Sequence, residues 1–125
     1  QINNDQTKIW LASVPTQFEA FHWHGETFSV PDGATPILKS EQCENQAFCI
    51  HNTLALQCHI EMTADMVAQW VDLYSHELDQ TGSHIQSSSE ILASLQTRVD
   101  AMQAIAECVY TKWAEPIFLA KNSEE

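Results

Sequence analysis

Between Glu61 and Ala64 the apolar pattern of this chain changes period, and that change constrains its fold more than any other feature. Before it, apolar and polar residues alternate in short runs bounded by turn residues. After it, apolar residues recur every three or four positions. Two-residue alternation puts side chains on opposite faces of a strand, whereas a three-to-four spacing lines one face of a helix. Strands followed by helices, an α/β arrangement, are therefore expected.

In the first half, residues 18–28 mix aromatic with alternating polar residues and are expected as a strand, with a turn at Pro31-Asp32-Gly33. A short strand is expected over residues 35–40. Apolar runs at 47–50 and 54–59 flank His51-Asn52-Thr53, a hairpin in which Asn52 tolerates a left-handed backbone. In the second half Thr63 is the expected N-cap, with Asp65 in the first turn. Met66, Val67, Trp70, Val71, Leu73 and Tyr74 give a broad apolar face reaching about Leu78. A polar loop with Gly82 follows over 79–87, and Ser88 or Ser89 caps the next helix. There Leu92, Leu95, Val99, Met102, Ala106, Val109 and Trp113 form one seam that Pro116 ends. Either the sheet and preceding helix or a partner helix must cover that seam. The tail at 122–125 is expected to be loose. Division into residues 1–78 and a helical extension over 79–125 follows from this pattern.

The 125 residues are 44% hydrophobic, enough for a core, and suit one small domain or part of a larger one. Seventeen Asp and Glu stand against five Lys and Arg, a net charge of −12. Phosphate backbones and anionic membrane surfaces are repelled by such a chain, so neither nucleic acid nor membrane is an expected partner. No stretch has the apolar length of a membrane span. The four cysteines, Cys43, Cys49, Cys58 and Cys108, have irregular spacings, and Cys58 and Cys108 fall at core-facing positions. Free thiols in a cytoplasmic protein are expected rather than two disulfides. Because the sequence begins at Gln1 and not at a methionine, an excised piece of a longer chain is expected.

Chemistry is concentrated in Gln57-Cys58-His59-Ile60-Glu61. Strand alternation directs Gln57, His59 and Glu61 to one side and Cys58 and Ile60 to the other. A histidine with a carboxylate two residues on is a general base with its orienting partner, because the carboxylate fixes the imidazole tautomer and stabilises the imidazolium. The pair closes a strand just before a helix, where open α/β sheets place their sites. A purely structural strand histidine is the competing reading. The pair lacks a nucleophile: Cys58 faces the wrong way, Cys43 lies in a polar loop, Cys108 sits in the last helix, and none has a glycine-flanked turn.

A second cluster is Phe21-His22-Trp23-His24-Gly25-Glu26-Thr27. His22 and His24 share a face, so with His59 and Glu61 a zinc, iron or manganese site on a β-domain can be drawn, Glu26 being a further ligand. In the alternative, His22 and Trp23 pack while His24-Gly25 turns beside a pocket. A non-catalytic interaction module docking through the Leu92–Trp113 seam is another possible reading.

Taken together these segments resemble the C-terminal half of a class I, triad-type glutamine amidotransferase domain, of the stand-alone GMP-synthase-like subgroup. Phe21-His22-Trp23-His24-Gly25-Glu26-Thr27-Phe28 and Val30-Pro31-Asp32-Gly33-Ala34 match that group's His-Gly-Asp/Glu segment and its Pro-x-Gly-Ala turn. Glu44-Asn45-Gln46-Ala47-Phe48 matches a strand start. Leu56-Gln57-Cys58-His59-Ile60-Glu61-Met62-Thr63 resembles the Gln-Phe-His-Pro-Glu signature. The Ile85-Gln86-Ser87 loop and the terminal helix are similar to the subgroup's extension. Cys58 replaces the usual aromatic and Ile60 the common proline, both facing away from the site.

The resemblance implies part of a flavodoxin-like fold, a β-meander followed by two helices. It also implies that the N-terminal half, with the oxyanion loop and the Gly-x-Cys-x-Gly nucleophile elbow, lies outside this sequence. His59 and Glu61 would be the catalytic base and its partner, His24 would line the substrate pocket, and Gln57 would be structural. Glutamine would be the substrate and an unidentified acceptor would take the ammonia. No cofactor is implied, and this chain alone should be inactive.

Overall fold

A computed structural model describes residues 1–79, 82 and 84–121, without the side chains of Phe118, Ala120 and Lys121. The loose tail expected at 122–125 lies outside the described residues, as does part of the 79–87 loop. The chain folds as α1 (Asp5–Trp10), β1 (Thr35–Leu38), β2 (Ala47–Ile50), β3 (Thr53–Leu56), α2 (Ala64–Leu73), a 3-10 turn at Ser75–Glu77, α3 (Ser88–Leu92) and α4 (Leu95–Lys121). The expected order of an antiparallel sheet followed by helices is present.

Sequence reasoning did not foresee α1. Its N-cap Asn4 accepts from the Thr7 N–H through Oδ1, and its Nδ2 donates to the Pro36 carbonyl at 2.8 Å. One side chain thus starts the helix and ties it to β1. The three strands form a meander in the order β1-β2-β3, with pairs from Thr35↔Cys49 to Leu38↔Ala47 and from Ala47↔Leu56 to Ile50↔Thr53. A bulge between Pro36 and Leu38 interrupts the first ladder. Within the His51-Asn52 turn the left-handed residue is His51, at φ 51°, rather than Asn52. The β3 strand also stops at Leu56, short of the expected end at 59.

The expected strand over 18–28 does not form. Among its residues only Phe21 pairs, in an isolated antiparallel bridge to His59. No neighbouring strand is placed to satisfy the rest of the segment, so aromatic composition alone does not make it a strand.

Thr63 caps α2 as expected, accepting from the Met66 N–H at 3.2 Å. Its buried face is narrower than the sequence suggests: Val67 and Val71 are buried, while Met66, Leu73 and Tyr74 are exposed. Ser87, not Ser88 or Ser89, caps α3, in a capping box with Glu90. The single helix expected from there to Pro116 is broken, because Ser94 is left-handed at φ 51°. Arg98 explains how the break is tolerated. Its Nη1 donates to the carbonyls of Glu90 (3.0 Å), Ile91 (3.1 Å) and Ala93 (3.3 Å), and its Nε pairs with Glu19. These are carbonyls that a helix end leaves without partners. Pro116 lies inside α4 instead of ending it. A proline removes one backbone donor and crowds the preceding turn, and the helix absorbs both.

The core gathers Ile37, Ala47 and Cys49 of the sheet, Cys58, Ile60 and Met62 of the following segment, Val67 and Val71 of α2, and Met102, Ile105, Ala106 and Val109 of α4. Most of the α4 seam is therefore covered within the chain. Trp113 and Leu92, at its two ends, remain exposed.

Candidate active site

The segment after β3 keeps a two-residue alternation although it is no longer a regular strand. Cys58, Ile60 and Met62 are 5%, 2% and 1% exposed, so they anchor the segment in the core and turn Gln57, His59 and Glu61 outward. Burying an aliphatic side chain of this size contributes about 2 kcal/mol, which makes the segment a firm base for the outward groups. The backbone of His59 is also pinned. Its N–H donates to Phe21 O at 2.8 Å and its carbonyl accepts from Phe21 N–H at 3.0 Å.

Nδ1 of His59 lies 2.6 Å from Oε1 of Glu61. The other carboxylate oxygen accepts from the Ile60 N–H at 3.0 Å. Burial by itself would raise the Glu61 carboxyl. The His59 hydrogen bond, the backbone N–H donors and the His59 charge outweigh that and hold it below the ordinary carboxylate value. Glu61 is thus an anion aimed at Nδ1, which selects the Nδ1–H tautomer. Among the described residues nothing is hydrogen-bonded to Nε2. The lone pair there is free to take a proton from an incoming group.

Aromatic rings hold the imidazole in place. Trp70 packs edge-on at 5.8 Å between centroids and Phe21 lies at 6.2 Å. Trp23 and Tyr74 extend the cluster around Trp70, and the Trp23 Nε1–H donates to Glu77 at 2.6 Å. Trp70 and Phe21 went unnoticed as site residues from sequence. The signal for Trp70 was its place on the inner face of α2, whereas nothing local marked the pairing of Phe21 with His59.

The loop carrying His22 and His24 runs beside this pair and forms one wall of an open groove of about 820 Å3. Ile91, Leu95 and Met102 also line it. Neither His59 nor Glu61 lines this groove, so it adjoins the pair rather than containing it. Partial burial, then the His24 and His59 rings, lower the His22 pKa, while the Gln46 amide acts in the opposite direction. The rings of His22 and His24 lie 6.0 Å apart. Among the described residues no three His, Cys, Asp or Glu side chains form a metal-binding group, so His22, His24, His59 and Glu61 do not converge on an ion.

All four cysteines are free thiols. Cys58 lies on the core side of its segment, and burial pushes its thiol up to about 11. Cys43 is half-buried in the groove wall, with its Sγ 3.2 Å from Thr27 Oγ1. None is hydrogen-bonded to His59.

This architecture is that of part of a glutamine amidotransferase fold. A solved glutamine amido transferase from Methylobacillus flagellatus is 38% identical to the chain. The likeness covers 91% of this chain and 48% of that one, at a TM-score of 0.85. A solved glutamine amidotransferase from Thermotoga maritima shares the fold at 24% identity, covering 91% of this chain and 47% of that one, at a TM-score of 0.74. The chain therefore spans about half the length of these solved structures. No protein-family model and no curated protein sequence matches it.

Proposed function

We propose that this chain carries the base of a class I glutamine amidotransferase centre, with His59 as general base and acid and Glu61 as its orienting anion. One observation carries the reading: the His59–Glu61 contact leaves Nε2 free, on a fold shared with a glutamine amido transferase at a TM-score of 0.85. The order of motifs along the sequence supports the GMP-synthase-like subgroup and a position in the C-terminal half.

In this mechanism a cysteine from the remaining half of the domain attacks the carboxamide carbon of glutamine. His59 takes the thiol proton at Nε2 and delivers it to the departing nitrogen, so ammonia leaves and a γ-glutamyl thioester remains. Water, deprotonated by His59, then attacks the thioester. Glutamate is released and the thiol recovers its proton. Glu61 stays ionised throughout and stabilises the imidazolium. His24 lines the side of the pocket next to the groove. The ammonia passes to an acceptor bound elsewhere. This chain alone, a base without its nucleophile, is expected to be inactive.

The test uses the protein made from its complete coding sequence. His59→Ala is expected to abolish glutamine hydrolysis while leaving the circular dichroism spectrum and melting temperature near those of the parent. Activity retained in that variant rules the assignment out.

A further inference from the structure

Residues 22–27 have no regular secondary structure, so side-chain hydrogen bonds hold them. Most of those bonds converge on Gln57. Its backbone N–H donates to Gln46 O at 2.8 Å, which fixes it to the end of β2. Its side-chain Oε1 accepts from Thr27 Oγ1 at 3.2 Å. Its Nε2 lies 2.7 Å from Nδ1 and 2.9 Å from Nε2 of His24 and donates to the Glu26 carbonyl at 3.3 Å. Nδ1 of His24 is in turn 2.9 Å from Glu26 O, an acceptor only.

The Gln57 amide nitrogen thus sits beside both ring nitrogens of His24 and donates to whichever of them carries the lone pair. With its Nε2 donating, Gln57 must present its oxygen to the Thr27 hydroxyl, and the Cys43 thiol, 3.2 Å from that hydroxyl, closes the chain.

We infer that Gln57 is a positioning residue: its side-chain amide latches the His24–Thr27 loop to the sheet, shaping the wall against which glutamine binds. The substrate part of this inference rests on the amidotransferase reading, whereas the latch itself does not. Gln57 lies two residues before His59 on the same outward side, so one segment fixes both the base and the loop.

The experiment uses the protein made from its complete coding sequence, with glutamine as the probe. Gln57→Ala is compared with Gln57→Glu. Loss of the latch in Gln57→Ala is expected to raise KM for glutamine about tenfold and change kcat far less, since the side-chain bonds to Thr27, His24 and Glu26 are removed and the His59–Glu61 contact is untouched. Nitrogen-15 shifts of the His24 ring are expected to change in Gln57→Ala, because the amide beside both ring nitrogens is gone. The carboxylate introduced by Gln57→Glu can only accept, so it keeps the bond from the Thr27 hydroxyl and loses the one to the Glu26 carbonyl. A His24 spectrum unchanged in both variants overturns the latch. A changed spectrum with KM unaltered overturns its service to the substrate. A parent that leaves glutamine intact overturns the amidotransferase reading and the substrate part of this inference, and the ring spectra then decide the latch alone.

Discussion

Phe21 and His59 exchange both backbone hydrogen bonds of an antiparallel pair, at 3.0 and 2.8 Å, although neither belongs to a strand of the sheet. They are 38 residues apart, and this bridge is what brings the His22–His24 loop beside the His59–Glu61 pair. The site is therefore assembled by one long-range backbone contact, with the aromatic rings of Phe21 and Trp70 closing over the imidazole.

Phe21→Pro tests that contact directly. Proline lacks the N–H that donates to His59 O, so it removes one of the two bonds and leaves a carbonyl short of a partner. A loss of about 1–3 kcal/mol in unfolding free energy is expected from chemical denaturation. Phe21→Leu keeps the backbone pair and should lose less. Equal losses in the two variants would show that the ring, not the bridge, holds the segment.

Glu61→Gln separates charge from shape at the base. The replacement is isosteric and can still accept from Nδ1, but it no longer stabilises an imidazolium and places an N–H donor where Ile60 N–H donates. If His59 is the base of glutamine hydrolysis, kcat is expected to fall about 100-fold or more with KM little changed. Steady-state kinetics on the complete protein measure this, and a kcat near the parent value removes Glu61 from the mechanism.

Much of the site was legible because it is local in sequence. Gln57 to Glu61 alternates faces whatever lies around it, since Cys58, Ile60 and Met62 are apolar and seek the core. Thr63 likewise announced its helix through a cap that needs only the next three residues. Long-range effects were not legible. Residues 18–28 carry strand-like composition, but a strand exists only where a partner backbone is available, and only Phe21 finds one. The break at Ser94 depends on Arg98 reaching back to three carbonyls and across to Glu19. Pro116 reads as a stop from its own chemistry, yet α4 continues through it.

The pH dependence of stability follows from Glu61. Its carboxyl titrates lower in the folded state than in the unfolded chain, where the value is near 4.5. The folded state thus gains from the ionised form, a gain fully present above about pH 5 and lost as pH falls through the folded-state value. The difference in unfolding free energy between the parent and Glu61→Gln should accordingly shrink as pH falls below about 5. Nearly half of the Glu61 side chain is exposed, so solvent screening keeps the amplitude small. A difference that keeps growing as pH falls below about 5 contradicts the His59 contact.

Thiol labelling tests the placement of the same segment from its buried side. Cys58 is 5% exposed with its thiol pushed up to about 11, so at pH 8 only about one molecule in a thousand carries the thiolate there. Cys49 is 3% exposed, and burial raises its thiol too. Cys43 and Cys108 are half-buried. Iodoacetamide at pH 8, followed by peptide mass spectrometry, should therefore modify Cys43 and Cys108 first. Cys49 and Cys58 should react only as fast as the fold opens, and mild denaturant should accelerate those two far more than the others. Cys58 labelling as fast as Cys43 in the native protein would place its sulfur on the outward side with His59. That would undo both the alternation on which the site is built and the exclusion of Cys58 as nucleophile.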